Sequence, residues 1–372
     1  MRVACSLLAA VMLVSCSSDN GGTDESPQPI VFNSDLSTTQ VSNTRAGGEG
    51  LEKYMQSFQI YGYKTTGGAL QTVMKDYTLN WVDGTAGTTS SNSDGWEYVG
   101  QGTGPQTIKY WDHSASEYRF VAYKPQPTTT TAYPYTQTVD VDEANKKITL
   151  TMTGLQYMTL HWDTQSSAEA LAKYSLADST AVPETDLPFY AHLWGKAPQT
   201  TSPVQLVFTR PLAQVRAYVI RTDSTDHVMI TDVSFKPADK SKLLPTKQDF
   251  TVTYPLDGTE ESWTSAPSDY TLDGMSFPAG ANLVNANTQY ALAPEYVMIP
   301  NSSNGDFVFT ATYGFEEHTA SVPAQYMQWK PGVQYTYVFK ITETNLIFVD
   351  LVQAAVKDWD KQPVIDHELY NW

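Results

Sequence analysis

The sequence predicts an all-β protein, with a β-sandwich or barrel in each half of the chain. Tyr, Phe and Trp make up 12% of the 372 residues, and such side chains favour pleated, half-buried strands. The 22 glycines and 21 prolines are spread along the chain, as expected for many turns. Several segments alternate apolar and polar residues with the period of two that a strand with one buried face requires. The length is sufficient for roughly two domains.

In the first half, the clearest strand lies at 147–153. Ile148, Leu150 and Met152 alternate with threonines there, which is typical of an antiparallel strand with one buried face. The acidic run at 140–143 resembles part of a calcium loop but lacks the glycine and the terminal glutamate of such loops. We therefore expect a hairpin turn at that position. Further strands are expected at 51–64, 71–81, 96–99, 107–111 and 118–123.

One helix is expected at 166–176, because Ser166 and Glu169 fit a capping box at its start. A new run of strands begins after Pro203. The clearest of these strands, at 333–341, follows a Pro-Gly pair that suits a type II turn. Other strands in this half are expected at 204–209, 213–221, 228–236, 250–254 and 307–313.

The first residues of the chain predict export and lipid attachment. Arg2 precedes an apolar run at 7–14, and this order is typical of a secretory signal peptide, expected here at 1–15. The apolar run is far shorter than the roughly 20 residues needed to cross a bilayer. Cys16 follows Leu-Val-Ser in a pattern similar to a bacterial lipobox. We therefore expect Cys16 to carry the lipid and to be the membrane attachment.

Two features follow the lipid site. Ile30, Val31 and Phe32 form a short strand-like island in a polar segment. Arg45 stands in a glycine-rich, small-residue setting, and an accessible, locally unfolded arginine is what an arginine-specific protease needs. Cleavage is then expected between Arg45 and Ala46. The alternative is that residues 16–45 are only a tether and that Arg45 is incidental.

Several classes of function are disfavoured. The cysteines are Cys5 and Cys16, so the part of the chain after the lipid site has no thiol for a disulfide or a thiolate metal site. A net charge of −17 disfavours nucleic-acid binding. The six histidines are scattered, and no catalytic or phosphate-binding motif is present. We predict no enzyme activity, no metal and no cofactor.

A series of short motifs resembles the fimbrillin family, the subunits of the type V pili of Gram-negative anaerobes. Each motif alone is a weak packing pattern, but their order extends over nearly the whole chain behind the lipobox and Arg45. The matching residues are Trp96, Tyr98, Tyr110, Trp111, Tyr118, Phe120, Tyr123, Pro125, Leu206, Phe208, Arg210, Pro211, Tyr290, Leu292, Pro294, Met298, Pro300, Trp329, Pro331, Gly332, Tyr335, Tyr337, Asp358 and Trp359.

The resemblance implies two β-sandwich domains of transthyretin-like topology, at 46–201 and 202–372, behind a removable leader. It also implies an exported lipoprotein that passes from the outer membrane to a cell-surface fimbrium. An arginine-specific protease would remove the leader, and the strand around Ile30, Val31 and Phe32 would vacate a groove. The C-terminal tail of another copy or another pilin would fill the groove. Candidate donor residues in that tail are Val364, Ile365, Leu369, Tyr370 and Trp372.

Three alternatives stay open at this point. The segment 345–356 could complete a sheet of the second domain instead of donating a strand. The aromatic motif residues are expected in cores, although a platform for stacking sugars is the other possibility. Within the pilus interpretation a shaft subunit fits best. The runner-up is a monomeric surface lipoprotein that binds a glycan or a host ligand and keeps its N-terminal segment. The aromatic motif residues to which the alternative of a core or a sugar platform applies are Trp96, Tyr110, Trp111, Tyr123, Trp329 and Tyr337.

Overall fold

The computed structural model describes residues 27–36, 51, 55–82, 95–127, 132–163, 171–196, 198, 203–221, 227–257, 260–283, 289–342 and 345–355. Nearly all regular structure in these residues is β, which confirms the predicted fold class. Two short 3₁₀ turns lie at Glu184–Asp186 and Ala324–Tyr326.

The strands before residue 203 are Phe32–Leu36 (β1), Ser57–Thr66 (β2), Ala69–Val82 (β3), Gly95–Glu97 (β4), Glu117–Tyr123 (β5), Thr136–Asp142 (β6), Lys147–Gln156 (β7), Met158–Asp163 (β8), Leu171–Ser175 (β9), Ala181–Val182 (β10) and Tyr190–Lys196 (β11). The later strands are Val204–Thr209 (β12), Ala213–Arg221 (β13), Val228–Pro237 (β14), Leu244–Pro255 (β15), Ser262–Leu272 (β16), Met275–Phe277 (β17), Ala281–Leu283 (β18), Gln289–Ala291 (β19), Glu295–Met298 (β20), Phe307–Tyr313 (β21), Glu316–Val322 (β22), Val333–Ile341 (β23) and Leu346–Ala355 (β24).

A closed barrel forms from seven of these strands in the order β1-β12-β11-β5-β2-β3-β4. Its interior is aromatic. Phe58 makes edge-to-face contacts with Trp96 and Phe208, at ring-centroid distances of 4.7 and 5.3 Å. Such contacts stabilise an aromatic core beyond simple area burial. β1 is therefore one of the seven strands of the barrel, and its pairing with β12 and β4 closes the barrel.

Three further sheets complete the fold, in the orders β10-β9-β8-β20-β13-β23-β24, β17-β14-β21-β22 and β16-β15-β7-β6. β19 also pairs with β13, and β18 also pairs with β14. The buried apolar side chains form two clusters. One cluster joins the barrel to β7 and β15, and the other lies between β13, β14, β21 and β23.

Three of the sheets, the barrel included, contain strands from both sides of the boundary predicted at 201/202. β7 pairs with β15, β8 pairs with β20, and β12 lies in the barrel although it follows that boundary. The proposed domain limits stay a prediction. The described strands show that the two halves share sheets.

Several local predictions are confirmed. Ile148, Leu150 and Met152 are buried on one face of β7. The acidic run ends in a hairpin, with Asp142 opposite Lys147. Gly332 has φ = 68°, as the third residue of a type II turn requires.

Two local predictions are wrong. Residues 171–175 form β9 instead of a helix, because Tyr174 is buried and the strand pairs with both β8 and β10. Tertiary pairing overrides helix propensity here. Residues 107–111 are not a strand either, and contribute an isolated bridge between Tyr110 and Pro29.

Candidate functional site

The N-terminal strand lies between two strands of the barrel. β1 pairs in parallel with β12, from Phe32 opposite Val204 to Leu36 opposite Phe208. On its other side Phe32 pairs with Trp96 of β4 in the antiparallel sense. We call residues 27–36 the leader segment, and we call the surface formed by β12, β4 and residues 109–111 the leader groove.

Backbone hydrogen bonds hold the part of the leader segment that precedes β1. The Ile30 N–H donates to the Lys109 carbonyl at 2.7 Å, and the Trp111 N–H donates to the Gln28 carbonyl at 2.9 Å. The Val204 N–H donates to the Val31 carbonyl at 2.6 Å. The segment is therefore bonded on both edges before the regular strand begins.

The side chains of the leader segment alternate between the core and the outside. Ile30 and Phe32 are buried, while Val31 is half-buried. The Phe32 ring makes edge-to-face contacts with Tyr98 and Phe120, at ring-centroid distances of 6.2 and 5.3 Å. Burial of two such side chains contributes about 1.5–3 kcal/mol each. The groove thus has two apolar pockets spaced by the period of a strand.

A buried tyrosine ties the leader segment to the groove. The Tyr98 hydroxyl donates to the Ile30 carbonyl at 3.1 Å and accepts a hydrogen bond from the Lys109 N–H at 3.0 Å. Burial raises the pKa of Tyr98 well above its ordinary value, so the hydroxyl keeps its proton and remains a donor. The motif pair Trp96 and Tyr98 therefore lines the groove.

A second polar contact lies further along β1. The Trp96 indole N–H donates to the Ser34 hydroxyl oxygen at 2.7 Å. Ser34 has no apolar or catalytic pattern that would single it out in the sequence, and the motif that contains Tyr98 indicates a packing position but not a contact with the leader segment. Their contribution follows from register, which is visible only once β1 is placed.

The end of β12, which forms one wall of the groove, is fixed by a buried charge cluster. Arg210 pairs with Glu184 at 2.8 Å and lies 4.7 Å from the centre of the Phe189 ring. Lys124 lies in the same cluster and donates to the Leu187 carbonyl at 2.7 Å. Burial, reinforced by the nearby Arg210 charge, lowers the pKa of Lys124 to about 7.

The other predicted site residues lie outside the described residues. These are the lipidation residue Cys16, the cleavage pair Arg45 and Ala46, and the tail residues Val364, Ile365, Leu369, Tyr370 and Trp372. The segment before the tail is placed. Leu346–Ala355 forms β24 and pairs with β23 along its length, which favours the open alternative that this segment completes a sheet.

Most of the aromatic motif residues are core residues, as expected. Trp96, Trp111, Tyr123, Trp329 and Tyr337 are all buried. Tyr110 is a correction, because its side chain is 47% exposed. Its backbone bridges to Pro29, and this leaves the ring on the outside.

Among the described residues, no group of three or more His, Cys, Asp and Glu side chains is placed to hold a metal ion. Within the same residues, no helix is long and apolar enough to cross a membrane.

The chain resembles several solved structures at low sequence identity. A putative cell adhesion protein from Bacteroides uniformis is 16% identical, with a TM-score of 0.37, and the match covers 87% of this chain and 97% of that one. The tip fimbrial protein Mfa3 of Porphyromonas gingivalis, with a C-terminal truncation, is 10% identical, with a TM-score of 0.33 and coverage of 81% and 94%. The fimbrial anchor protein Mfa2 of the same organism is 9% identical, with a TM-score of 0.27 and coverage of 89% and 98%.

No curated protein sequence matches the chain significantly. The family model described as fimbrillin-like matches residues 44–359, which include the groove strands β4 and β12 and most of the fold. Since this match covers most of the sequence, the chain belongs to the fimbrillin-like family, a family of structural fimbrial proteins and not of enzymes.

Proposed function

We propose that this chain is a shaft subunit of a type V fimbria and that it polymerises by protease-triggered donor-strand exchange. The observation that carries the proposal is the placement of β1 between β12 and β4, since this strand fills a position that another chain's strand could take. Strand addition of this kind combines backbone pairing with pockets for alternate side chains.

Cleavage between Arg45 and Ala46 would leave the leader segment held only by non-covalent contacts. Its departure would open the edges of β12 and β4 and the pockets of Ile30 and Phe32. Unpaired strand edges are templates for pairing with another chain. The groove would then be competent to accept a donor only after processing, which supports a protease as the trigger of assembly.

The donor would be the C-terminal tail of a neighbouring subunit, with Val364, Ile365, Leu369, Tyr370 and Trp372 as its candidate anchors. At least the residues 356–372 follow β24, and a fully extended segment of that length reaches roughly 55–60 Å. Five apolar anchors would contribute on the order of 10 kcal/mol gross. A head-to-tail contact that does not close produces a filament.

The direction of β1 defines how a donor would enter. β1 is parallel to β12, and β12 leads into β13 of the neighbouring sheet. A donor strand that runs in the direction from Gln28 to Leu36 would be parallel to β12 and antiparallel to β4, as β1 is. The reverse orientation would exchange the parallel and the antiparallel pairing.

The proposal includes the route to the surface. A lipid on Cys16 would attach the precursor to the outer membrane until the leader is cut, and the processed subunit would then join the fimbrium and support adhesion to a host or bacterial ligand. A shaft role follows from the combination of features. An anchor would not need the Arg45 site, and a tip subunit would not need a donor tail.

The decisive test is Arg45→Lys, which keeps the charge and blocks an arginine-specific protease. Wild-type protein from cells should give a ladder of multimers on gels after heating below the boiling point. The variant should give one unshortened band. Filaments and shortening in the variant would show that processing at Arg45 is wrong. A single band from the wild type with residues 16–45 retained would favour the monomeric surface lipoprotein.

Removal of residues 360–372 tests the donor independently. The truncated protein should be processed and should retain the thermal unfolding temperature of the wild-type monomer, but it should not form multimers. Normal polymerisation of this truncated protein would exclude the assigned tail as the donor.

A further inference from the structure

A second candidate site lies away from the leader groove, in a cleft of about 590 Å³. It is bounded by the connection between β14 and β15, the last residues of β16, and the turn at 301–306 before β21. We call it the β15 cleft. We propose that the β15 cleft binds a neutral saccharide.

The cleft has an apolar floor and an aromatic rim. Leu244 and Phe307 are buried at the floor. Tyr270 on the rim is 50% exposed, and Leu243 is 41% exposed. An exposed aromatic ring beside a concave surface can stack on the C–H face of a sugar ring while its hydroxyl remains in water. Concave sites with a few placed polar groups are the usual form of small-ligand sites.

Two carboxylates supply acceptors for sugar hydroxyls. Oδ1 of Asp239 accepts hydrogen bonds from the N–H and the hydroxyl of Ser241, at 3.0 and 2.7 Å. Oδ1 of Asp306 accepts the Ala324 N–H at 2.8 Å. In the described part of the chain, no donor is bonded to Oδ2 of either residue. In each carboxylate, Oδ1 makes the contacts that fix the orientation of the side chain, and Oδ2 remains as an acceptor for a ligand hydroxyl. Ionised carboxylates accept strong hydrogen bonds.

The turn on the opposite side of the cleft is held rigid before any ligand arrives. The Asn304 amide donates to the Met327 carbonyl at 2.9 Å and its oxygen accepts from the Asn301 amide at 2.8 Å. The Asn301 oxygen accepts the Ser303 N–H at 2.9 Å. A surface that is already ordered loses less conformational entropy on binding.

The composition of the lining favours a neutral polyol over a cation. Lys242 lies in the lining and offsets one of the two carboxylates. The remaining polar groups are the side chains of Asn301, Ser303 and Asn304, which are uncharged. A saccharide offers hydroxyl donors to the carboxylates and an apolar face to Tyr270, so it uses both kinds of surface. A lysine-rich peptide would use only the acidic part and would meet Lys242.

The test uses the full chain as the Arg45→Lys protein, from which the monomer is isolated by size-exclusion chromatography, so that sugar binding is measured separately from the proposed assembly. The probes are glucose, galactose, mannose, fucose, N-acetylglucosamine and N-acetylgalactosamine at millimolar concentration, measured by saturation-transfer NMR. At least one sugar should receive saturation from the protein. Tyr270→Ala should weaken its binding by about tenfold or more, as expected for the loss of an aromatic contact.

Asp306→Asn and Asp239→Asn keep the Oδ1 acceptor that each fold contact needs and remove the charge on Oδ2. Each should weaken binding severalfold without changing the unfolding temperature. Phe315→Ala is the matched control, because it removes a fully exposed aromatic ring at the β21–β22 turn, outside the cleft. Absence of saturation transfer to all six sugars, or equal losses in Tyr270→Ala and Phe315→Ala, would overturn the proposal. So would binding of tri-lysine in place of every sugar.

Discussion

The first and last strands of the described chain, β1 and β24, are held in opposite ways. β1 has five residues, pairs on both edges, and inserts Ile30 and Phe32 from its segment into the barrel core. β24 has ten residues, and among the described strands it pairs with β23, along one edge. Its Phe348 is half-buried against Tyr326, Tyr337 and Phe339.

This difference separates a strand that fills a gap from a strand that extends a sheet. Loss of β1 would leave two strand edges and two apolar pockets inside a closed barrel. Loss of β24 would move the sheet edge inward by one strand. A short strand enclosed on both sides therefore suits replacement by an equivalent strand, and a long strand paired on one side suits permanent membership of its domain.

The largest expected effect is that of Phe32→Ala on the unprocessed protein. Phe32 is buried among Tyr98 and Phe120, and Phe→Ala in a core costs about 3–5 kcal/mol. Urea denaturation, followed by tryptophan fluorescence, should show this loss as a lower free energy of unfolding in the first unfolding transition. Val31→Ala is the matched control on the outer side of the same segment and should cost less than about 1 kcal/mol. Similar losses in the two variants would mean that β1 is not part of the barrel core.

Phe348→Ala should have the next largest effect and a different dependence on processing. The side chain is half-buried, so a loss of about 2 kcal/mol is expected, less than for a full core position. Because β24 belongs to its own sheet, the loss should be the same before and after cleavage at Arg45. Thermal unfolding of both forms measures it, and a loss confined to one form would contradict permanent membership.

The location of β1 was partly predictable from the sequence. Ile30 and Phe32 stand out as an apolar island, and both are buried. The strand itself continues through Asn33, Ser34 and Asp35 to Leu36, and no alternation of apolar and polar residues predicts a strand in this part. Its register comes from backbone pairing with β12, more than 160 residues later in the chain. Long-range pairing of this kind leaves no local sequence signal.

Other elements also differ in whether they depend on local sequence signals or on long-range pairing. The turn at Gly332 and the strand β7 were predictable because their signals are local. β9 was not, because its pairing with β8 and β10 overrides a helical pattern. The β15 cleft could not be foreseen, since it joins residues from three segments that are distant in the sequence and share no motif.

Tyr98→Phe tests the polar contact between groove and leader with a smaller effect. The change removes the hydroxyl that donates to the Ile30 carbonyl and accepts from the Lys109 N–H. Leaving those buried groups without a partner should cost about 1–2 kcal/mol in the unprocessed protein. Hydrogen exchange at the Lys109 backbone amide should also become faster, because that amide loses its acceptor. Tyr110→Phe, at a half-exposed ring, is the control and should leave both measurements unchanged.

The smallest expected effect, that of Ser34→Ala, addresses retention of the leader most directly. It removes the acceptor of the Trp96 indole N–H and should cost about 1 kcal/mol, or roughly a fivefold faster release of the leader segment after cleavage at Arg45. Ser34→Thr keeps the hydroxyl and should restore the slower rate. Release can be followed by tryptophan fluorescence, because Trp96 contacts both the leader and Phe58. If the leader left at the same rate in all three proteins, the contacts of β1 with the groove would not limit its release, and its enclosure on both edges would not set the rate of strand exchange.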